Sequence, residues 1–389
     1  MRVAVEYTAG VRQPAGVGRY TRGVVGALAR AMAAEDALAG PARIGGDKAH
    51  RLTLLWAGPA RIGLPRDWPG QVRTRRLPLP DRWMTAAWHR LRLPFPADTY
   101  AGGADVVYAP DFALPPRRRA PGVVTVHDLS YLLFPETHYP PLRRFLEATV
   151  PRSIAAASLV FADSDQTRDD VVRLLGTDPA KVVTVLSAPD PAFRPTPEVV
   201  TRAVHARWGL PDGPYLVSVG TIQPRKNLPV VFEALRQLPE AVRLVHVGRP
   251  GWLCDPIFAA LDASGVSHRV RILQGVDDED LAALYGGAVA CVFPSRYEGF
   301  GLPAVEAMAC GVPVITSHAG SLAEVVQDAG IIVDPDDSVG IAAGTRRLMD
   351  DAAFRADLVA RGFRQASRFQ WDVSGVQVLR EFRRVVGLR

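Results

Sequence analysis

Short β-branched runs alternate with helical patterns along almost the whole chain, and this rhythm restricts the fold more than any other feature. In the first half, RVAVEYT (2–8), LTLLWAG (52–58), DVVYAPD (105–111), GVVTVHD (122–128) and SLVFADS (158–164) read as strands, with helical patterns at 17–33, 141–157 and 165–175. In the second half, PYLVSVG (214–220), VRLVHVG (242–248), RVRILQG (269–275), AVACVFPS (288–295) and GVPVITS (311–317) alternate with helices in the same way. Strands separated by helices predict parallel sheets covered on both faces. The nearly continuous apolar runs agree, because such strands have no wet side.

A chain of 389 residues suits two domains of ordinary size. SAPDPAFRPTPE (187–198) carries four prolines in twelve residues and reads as the join between them. The expected architecture is α/β, with two Rossmann-like doubly wound domains facing across a cleft. Its division is 1–190, a linker and approach at 191–213, a second domain at 214–368, and a terminal helix at 369–389. Open α/β sheets bind ligands beyond the carboxyl ends of their strands, so the active site is expected in that cleft.

The three cysteines have no CxxC spacing and argue against a disulfide framework or a zinc site. The opening MRVAVEYTAG enters a strand without an apolar export segment, and no apolar run reaches membrane-spanning length. A cytoplasmic location is therefore expected. Residues 1–210 hold 28 Lys and Arg against 19 Asp and Glu, a basic balance that fits either an acidic partner or an arginine-rich genome. Only three lysines occur, Lys48, Lys181 and Lys226.

Lys226 lies in VSVGTIQPRKNLPVVFEAL (217–235), where a strand ends at Gly220 and a helix begins near Asn227. Arg225 and Lys226 together, a guanidinium fork beside a compact ammonium, suit a diphosphate; a solvated basic turn is the plainer reading. A second stretch, PSRYEGFGLPAVEAMACGVPV (294–314), sets Glu298 and Glu306 either side of a glycine-rich bend. A helix starting at Pro303 would direct the amides of Phe300, Gly301 and Leu302 at an anion, and Gly299 and Gly301 permit close approach. Carboxylates beside a phosphate repel it, so the two glutamates address hydroxyls: Glu306, in the first helical turn, a ribose diol, and Glu298 a second sugar. The alternatives are a dipole-complementing Glu306 and a solvated Glu298.

The E-x7-E run, the GTIQPRKN loop and TVHDLSYLLFPETH (125–138) together resemble the family 4 retaining glycosyltransferases of GT-B fold, and within them the bacterial O-antigen-type mannosyltransferase branch. The resemblance extends to RFQWDVSGVQVLREFRRV (368–385), which is similar to the family's helix returning to the N-terminal domain. It implies that Arg225 and Lys226 contact the donor diphosphate, Glu306 the ribose and Glu298 the donor sugar. His127 matches the histidine near the transferred sugar and acceptor. Gly16 and Gly18, in VRQPAGVGRYTRGV (11–24), occupy the first βα loop, near phosphates or acceptor; the stretch lacks the double glycine common in the family. LSAPD (186–190) likewise replaces the frequent Asn-Gly-Val-Asp. The nucleobase is expected at the loops after 248 and 275, GRPG with Gly248 and GVDDEDL with Val276, which leave guanine and uracil both open.

The implied activity is retaining transfer of a hexosyl group, mannosyl from GDP-mannose, to a glycan or lipid-linked glycan. The departing phosphate assists deprotonation, the cations replace a metal, and no cofactor is needed. Two rivals share the architecture: a nucleotide-sugar 2-epimerase and a non-catalytic hinged sugar-binding protein. No nucleic-acid motif interrupts the βα order. RWMTAAWHRLRL (82–93) places Trp83, Met84, Ala87, Trp88 and Leu91 on one helical face opposite Arg82, Arg90 and Arg92. That pattern fits peripheral contact with an anionic membrane, or an ordinary helix packed on the sheet.

Overall fold

The first sheet is built from β1 (Arg2–Glu6), β2 (Arg51–Trp56), β3 (Gln71–Arg76), β4 (Val106–Ala109), β5 (Gly122–Val126), β6 (Leu159–Ala162) and β7 (Val182–Thr184). The second comprises β8 (Tyr215–Val219), β9 (Arg243–Val247), β10 (Val270–Leu273), β11 (Ala290–Phe293), β12 (Val314–Ser317) and β13 (Gly330–Val333). Their orders are β3-β2-β1-β4-β5-β6-β7 and β10-β9-β8-β11-β12-β13, with parallel pairing between neighbours. This computed structural model describes residues 1–14, 16–39, 49–60, 62, 64, 67–93 and 95–387.

Both sheets are doubly wound, and period-two alternation explains why. In β1, Val3 and Val5 enter a core shared with Val24 and Leu28 of the Val17–Leu38 helix, while Ala4 enters another with Leu55, Met84 and Trp88. Successive side chains of a strand point to opposite faces, so a strand covered on both must be apolar throughout. In each sheet the strand order reverses at one place, between β1 and β4 and between β8 and β11. Such switch points open a crevice at the carboxyl ends of the strands.

The chain divides into two compact units: residues 1–129, 144–188 and 370–389, and residues 130–143 with 189–369. Residues 130–143 thus fall in the second unit although they lie inside the 1–190 range read as the first domain. Aromatic contacts explain this. Trp252 Nε1 donates to Thr137 O at 2.8 Å, the His138 ring lies beside Trp252, and Phe134 meets Tyr297 at 5.9 Å.

In the first unit, the Trp371–Val386 helix lies along the Val17–Leu38 helix so closely that a Cβ on Gly375 would meet the Ala27 backbone at 2.5 Å. Phe382 is fully buried among Tyr108 and Phe161. Truncating a buried aromatic of this kind costs about 3–5 kcal/mol.

The 82–93 stretch departs from its expected helical face. An α-helical turn over Asp81–Thr85 continues as a π-helical turn over Ala86–Arg90, and Leu91 N donates to Ala86 O, five residues back. The wider turn shifts the phase. Met84, Ala87 and Trp88 enter the core, whereas Trp83 and Leu91 are left exposed.

Candidate active site

In the second unit, the loops after β8 and β11 flank the switch point; they carry the paired cations and Glu298, and Glu306 stands in the helix that follows the second loop. Arg225 and Lys226 lie in a single 3-10 turn, Pro224–Lys226, rather than in an open loop. Asn227 then takes a left-handed conformation (φ 55°), and the Leu228–Arg236 helix follows. The Asn227 side chain donates to Pro335 O at 2.6 Å, which holds this unusual backbone.

The cations meet Glu298. Lys226 Nζ is 2.7 Å from Oε1 and Arg225 Nη1 is 3.0 Å from Oε2. Arg225 also donates to Tyr297 O, and Lys226 lies over the Phe293 ring at 4.6 Å. Burial alone raises the Glu298 carboxyl, but Arg225 and Lys226 outweigh it and pull it down to about 2. Glu298 is therefore a buried carboxylate and not the solvated loop residue of the plainer reading.

The loop after β12 fixes the main chain that carries that carboxylate. Ser317 Oγ donates to Ser295 O at 2.5 Å, and Ser321 donates to Glu298 O through both its amide and its hydroxyl. Gly320, at φ 66°, lies so close that a Cβ would meet Glu298 O at 2.3 Å. The glycines read as donor contacts serve the same tight packing. A Cβ on Gly220 would meet the Lys226 stem at 3.2 Å, and one on Gly248 would strike Gly220 O at 1.8 Å.

The helix at the glycine bend spans Leu302–Ala309 with Gly301 as its left-handed N-cap. Its first-turn amides have no acceptor within the helix, as at any helix start. Phe300 is buried against Phe369, Leu302 opens the helix half-buried, and Val276 is half-buried beyond β10. Glu306 is the fifth residue of this helix, in its second turn and not its first, because the helix begins at Leu302. It is buried, and Tyr285 Oη donates to Oε2 at 3.3 Å. Burial, with Glu306 nearby, pushes the Cys310 thiol up to about 12.

His127 belongs to the first unit, just beyond β5. Its Nδ1 donates to Asp163 Oδ2 at 2.7 Å and its Nε2 to Pro110 O at 2.9 Å. Burial disfavours the charged ring, but Asp163 and Asp111 more than compensate, raising it to about 9. The ring is an imidazolium whose two nitrogens both point into the protein. Glu6, Asp111, His127 and Asp163 thus line the carboxyl ends of four neighbouring strands, β1, β4, β5 and β6. Burial raises Glu6 to about 7. Gly16 caps the Val17–Leu38 helix at φ 54° with open space around it, whereas Gly18 is buried where a Cβ would strike Gln13 O at 1.9 Å. That contact makes Gly18 a packing glycine. The structure brings Arg225, Lys226 and Glu298 into contact, while His127, Gly16 and Gly18 lie in the other unit.

Asp163, Tyr285 and the Gly320–Ser321 pair were absent from the sequence-derived site. The only signal for Asp163 was its place at the end of the strand next to His127. Among the described residues, no group of three metal-ligating side chains could hold a metal ion, and no helix is long and apolar enough to cross a membrane.

Residues 15–188 match the family described as glycosyl transferase 4-like domain, and residues 201–365 the family described as glycosyl transferases group 1. The chain is 34% identical over 282 residues to the O-antigen chain mannosyltransferase B of Escherichia coli, covering 72% of this chain and 74% of that protein. It is 35% identical over 237 residues to a D-inositol 3-phosphate glycosyltransferase of Xylanimonas cellulosilytica, covering 58% of this chain and 57% of that relative. The fold is similar to that of Anabaena HepE, solved in complex with UDP-glucose, with a TM-score of 0.71, 20% identity and 98% of each chain covered. Two doubly wound units and two family matches that between them span most of the sequence lead to one conclusion: the chain belongs to the family 4 glycosyltransferases of GT-B fold.

Proposed function

We propose that this glycosyltransferase moves a mannosyl group from GDP-mannose to a hydroxyl of a glycan or lipid-linked glycan, with retention of configuration. The observation that carries the donor half is the buried Arg225–Lys226–Glu298 cluster at the switch point of the second sheet. The mannosyl choice is supported by the likeness to the O-antigen chain mannosyltransferase B, and the nucleotide-sugar donor by the likeness to HepE.

In this reading the diphosphate replaces the Glu298 carboxylate as partner of Arg225 and Lys226, and the amides at the start of the Leu302–Ala309 helix complete the cradle. Glu306 holds the ribose, with Tyr285 fixing one of its oxygens. Released from its cations, Glu298 faces the donor sugar as positive charge develops at the anomeric carbon. The bond from that carbon to the diphosphate breaks and one to the acceptor oxygen forms on the same face. The acceptor proton passes to the departing phosphate. Arg225, Lys226 and the helix amides stabilise the charge that leaves, a preorganised electrostatic role. His127, with both nitrogens engaged, acts as a fixed positive charge in the first unit rather than as a base.

The relationship to D-inositol 3-phosphate glycosyltransferases supplies a second acceptor class, a phosphorylated cyclitol. Incubation with GDP-mannose, UDP-glucose and ADP-glucose, each with a mannoside and with an inositol phosphate, separates the readings. Mannosyl transfer to the mannoside from GDP-mannose alone, with the α-anomer retained by NMR, is the expected result. Release of an isomerised nucleotide sugar without acceptor would point to an epimerase.

A further inference from the structure

We propose that residues 79–93 and Phe95 of the first unit form a docking surface for an anionic lipid bilayer. The inference extends the transferase reading to the place where the acceptor is met, and rests on that reading for this purpose alone. Among the described residues, 17 large apolar side chains are exposed, and six of them, Leu79, Trp83, Leu91, Leu93, Phe95 and Tyr100, fall within one stretch of 22 residues. That concentration is not the scatter of single apolar residues expected on an ordinary surface. Leu91 is 68% exposed, Trp83 56% and Phe95 49%.

The stretch is held rigidly from beneath. Met84, Ala87 and Trp88 anchor it in the core. Leu91 N donates to Ala86 O and Leu93 N to Ala87 O, each at 2.8 Å, while Trp88 Nε1 donates to Phe95 O at 3.1 Å. The backbone is therefore fixed while the side chains of Leu91, Leu93 and Phe95 project into water. A fixed loop that keeps apolar tips exposed is built to bury them against something else.

Charge selects the occupant. Arg73, Arg75 and Arg76 of the edge strand β3, with Arg82, Arg90 and Arg92, are all exposed. The only acidic residue between 71 and 95 is Asp81, which pairs with Arg12 at 3.1 Å. Exposed apolar tips with a tryptophan, in a segment whose exposed charges are all positive, match a bilayer interface: the tips enter the acyl boundary and the guanidinium groups meet headgroup phosphates. A nucleic acid would use the arginines but would leave the apolar tips in water.

The test is flotation of the full chain with neutral phosphatidylcholine vesicles and with vesicles carrying about one-third phosphatidylglycerol. The protein should float with the anionic vesicles only, and less as salt rises. Leu91→Glu/Phe95→Glu and Arg90→Gln/Arg92→Gln should each lower partition roughly tenfold or more. Val373→Glu/Val376→Glu, on an exposed face of the Trp371–Val386 helix, should retain binding. Melting temperatures check that each variant is folded, and Leu91→Ser replaces the first double variant if that one is not. Wild-type protein left behind by anionic vesicles would overturn the proposal. So would an apolar variant that binds like wild type while the arginine variant does not, since this marks adsorption to any polyanion. Nucleotide-sugar turnover without vesicles reports separately on the transferase reading.

Discussion

Glu298 receives Lys226 Nζ at 2.7 Å across 72 residues of sequence, so the carboxylate holds the partner position that the donor diphosphate takes in the proposed reading. Arg225 Nη1 lies on its other oxygen at 3.0 Å, so two positive charges share this carboxylate. Glu298→Gln removes that competitor. GDP should then bind several-fold more tightly, on the order of one charge-assisted contact redistributed, while kcat for transfer falls about 100-fold. Calorimetry with GDP and steady-state kinetics read the two effects; weaker GDP binding with unchanged kcat would contradict this role.

Lys226→Ala should act in the opposite direction. In the proposed reading it removes a diphosphate contact worth about 1.5–3 kcal/mol, so GDP affinity should drop roughly 10- to 100-fold. The weakening should shrink at high ionic strength. Equal affinity in a folded variant would take the Pro224–Lys226 turn out of the donor site.

Glu306→Gln tests a grip on a part of the donor that changes little during reaction. The donor KM should rise with kcat nearly unchanged, which is the mark of uniform binding. A fall in kcat alone would place Glu306 with the reacting centre instead.

The His127 pair predicts a pH dependence of stability. The folded ring titrates at about 9 against its ordinary 6.5, so its stabilisation is fully present below about 6.5 and is lost as pH rises through about 9. Wild-type Tm should decline across that window. The His127→Asn/Asp163→Asn double variant should start lower and show a flatter profile there by differential scanning fluorimetry.

Gly320→Ala forces a left-handed φ on alanine and drives a methyl into Glu298 O. It should cost about 1–3 kcal/mol of stability by denaturant titration.

Nine of the ten strands legible in the sequence lie inside their sheets, where coverage on both faces makes them apolar, and the tenth, β10, is an edge strand that still shows Val270, Ile272 and Leu273. The strands that escaped notice, β3, β7 and β13, are all at sheet edges. QVRTRR is exposed along its last four residues and so lacks the apolar signal of a strand, and VVT is too short to register. The candidate site divides in a similar way. Arg225, Lys226, Glu298 and Glu306 stand in local patterns that can be read along the chain. The ion pairs among them, the Ser321 clamp and the Asp163 partner of His127 arise where strands distant in sequence end side by side. No spacing rule reports that.

The first unit closes only with the Trp371–Val386 helix, which the ribosome makes after the whole of residues 189–369. Until Phe382 has emerged, Tyr108 and Phe161 lack a ring that completes their cluster. The second unit, nearly continuous in sequence, is thus free to fold while the first waits half-built, reversing the usual N-to-C order of domain folding during synthesis. A nascent chain stalled near residue 369 would expose an aromatic surface to chaperones, whereas the finished chain conceals it.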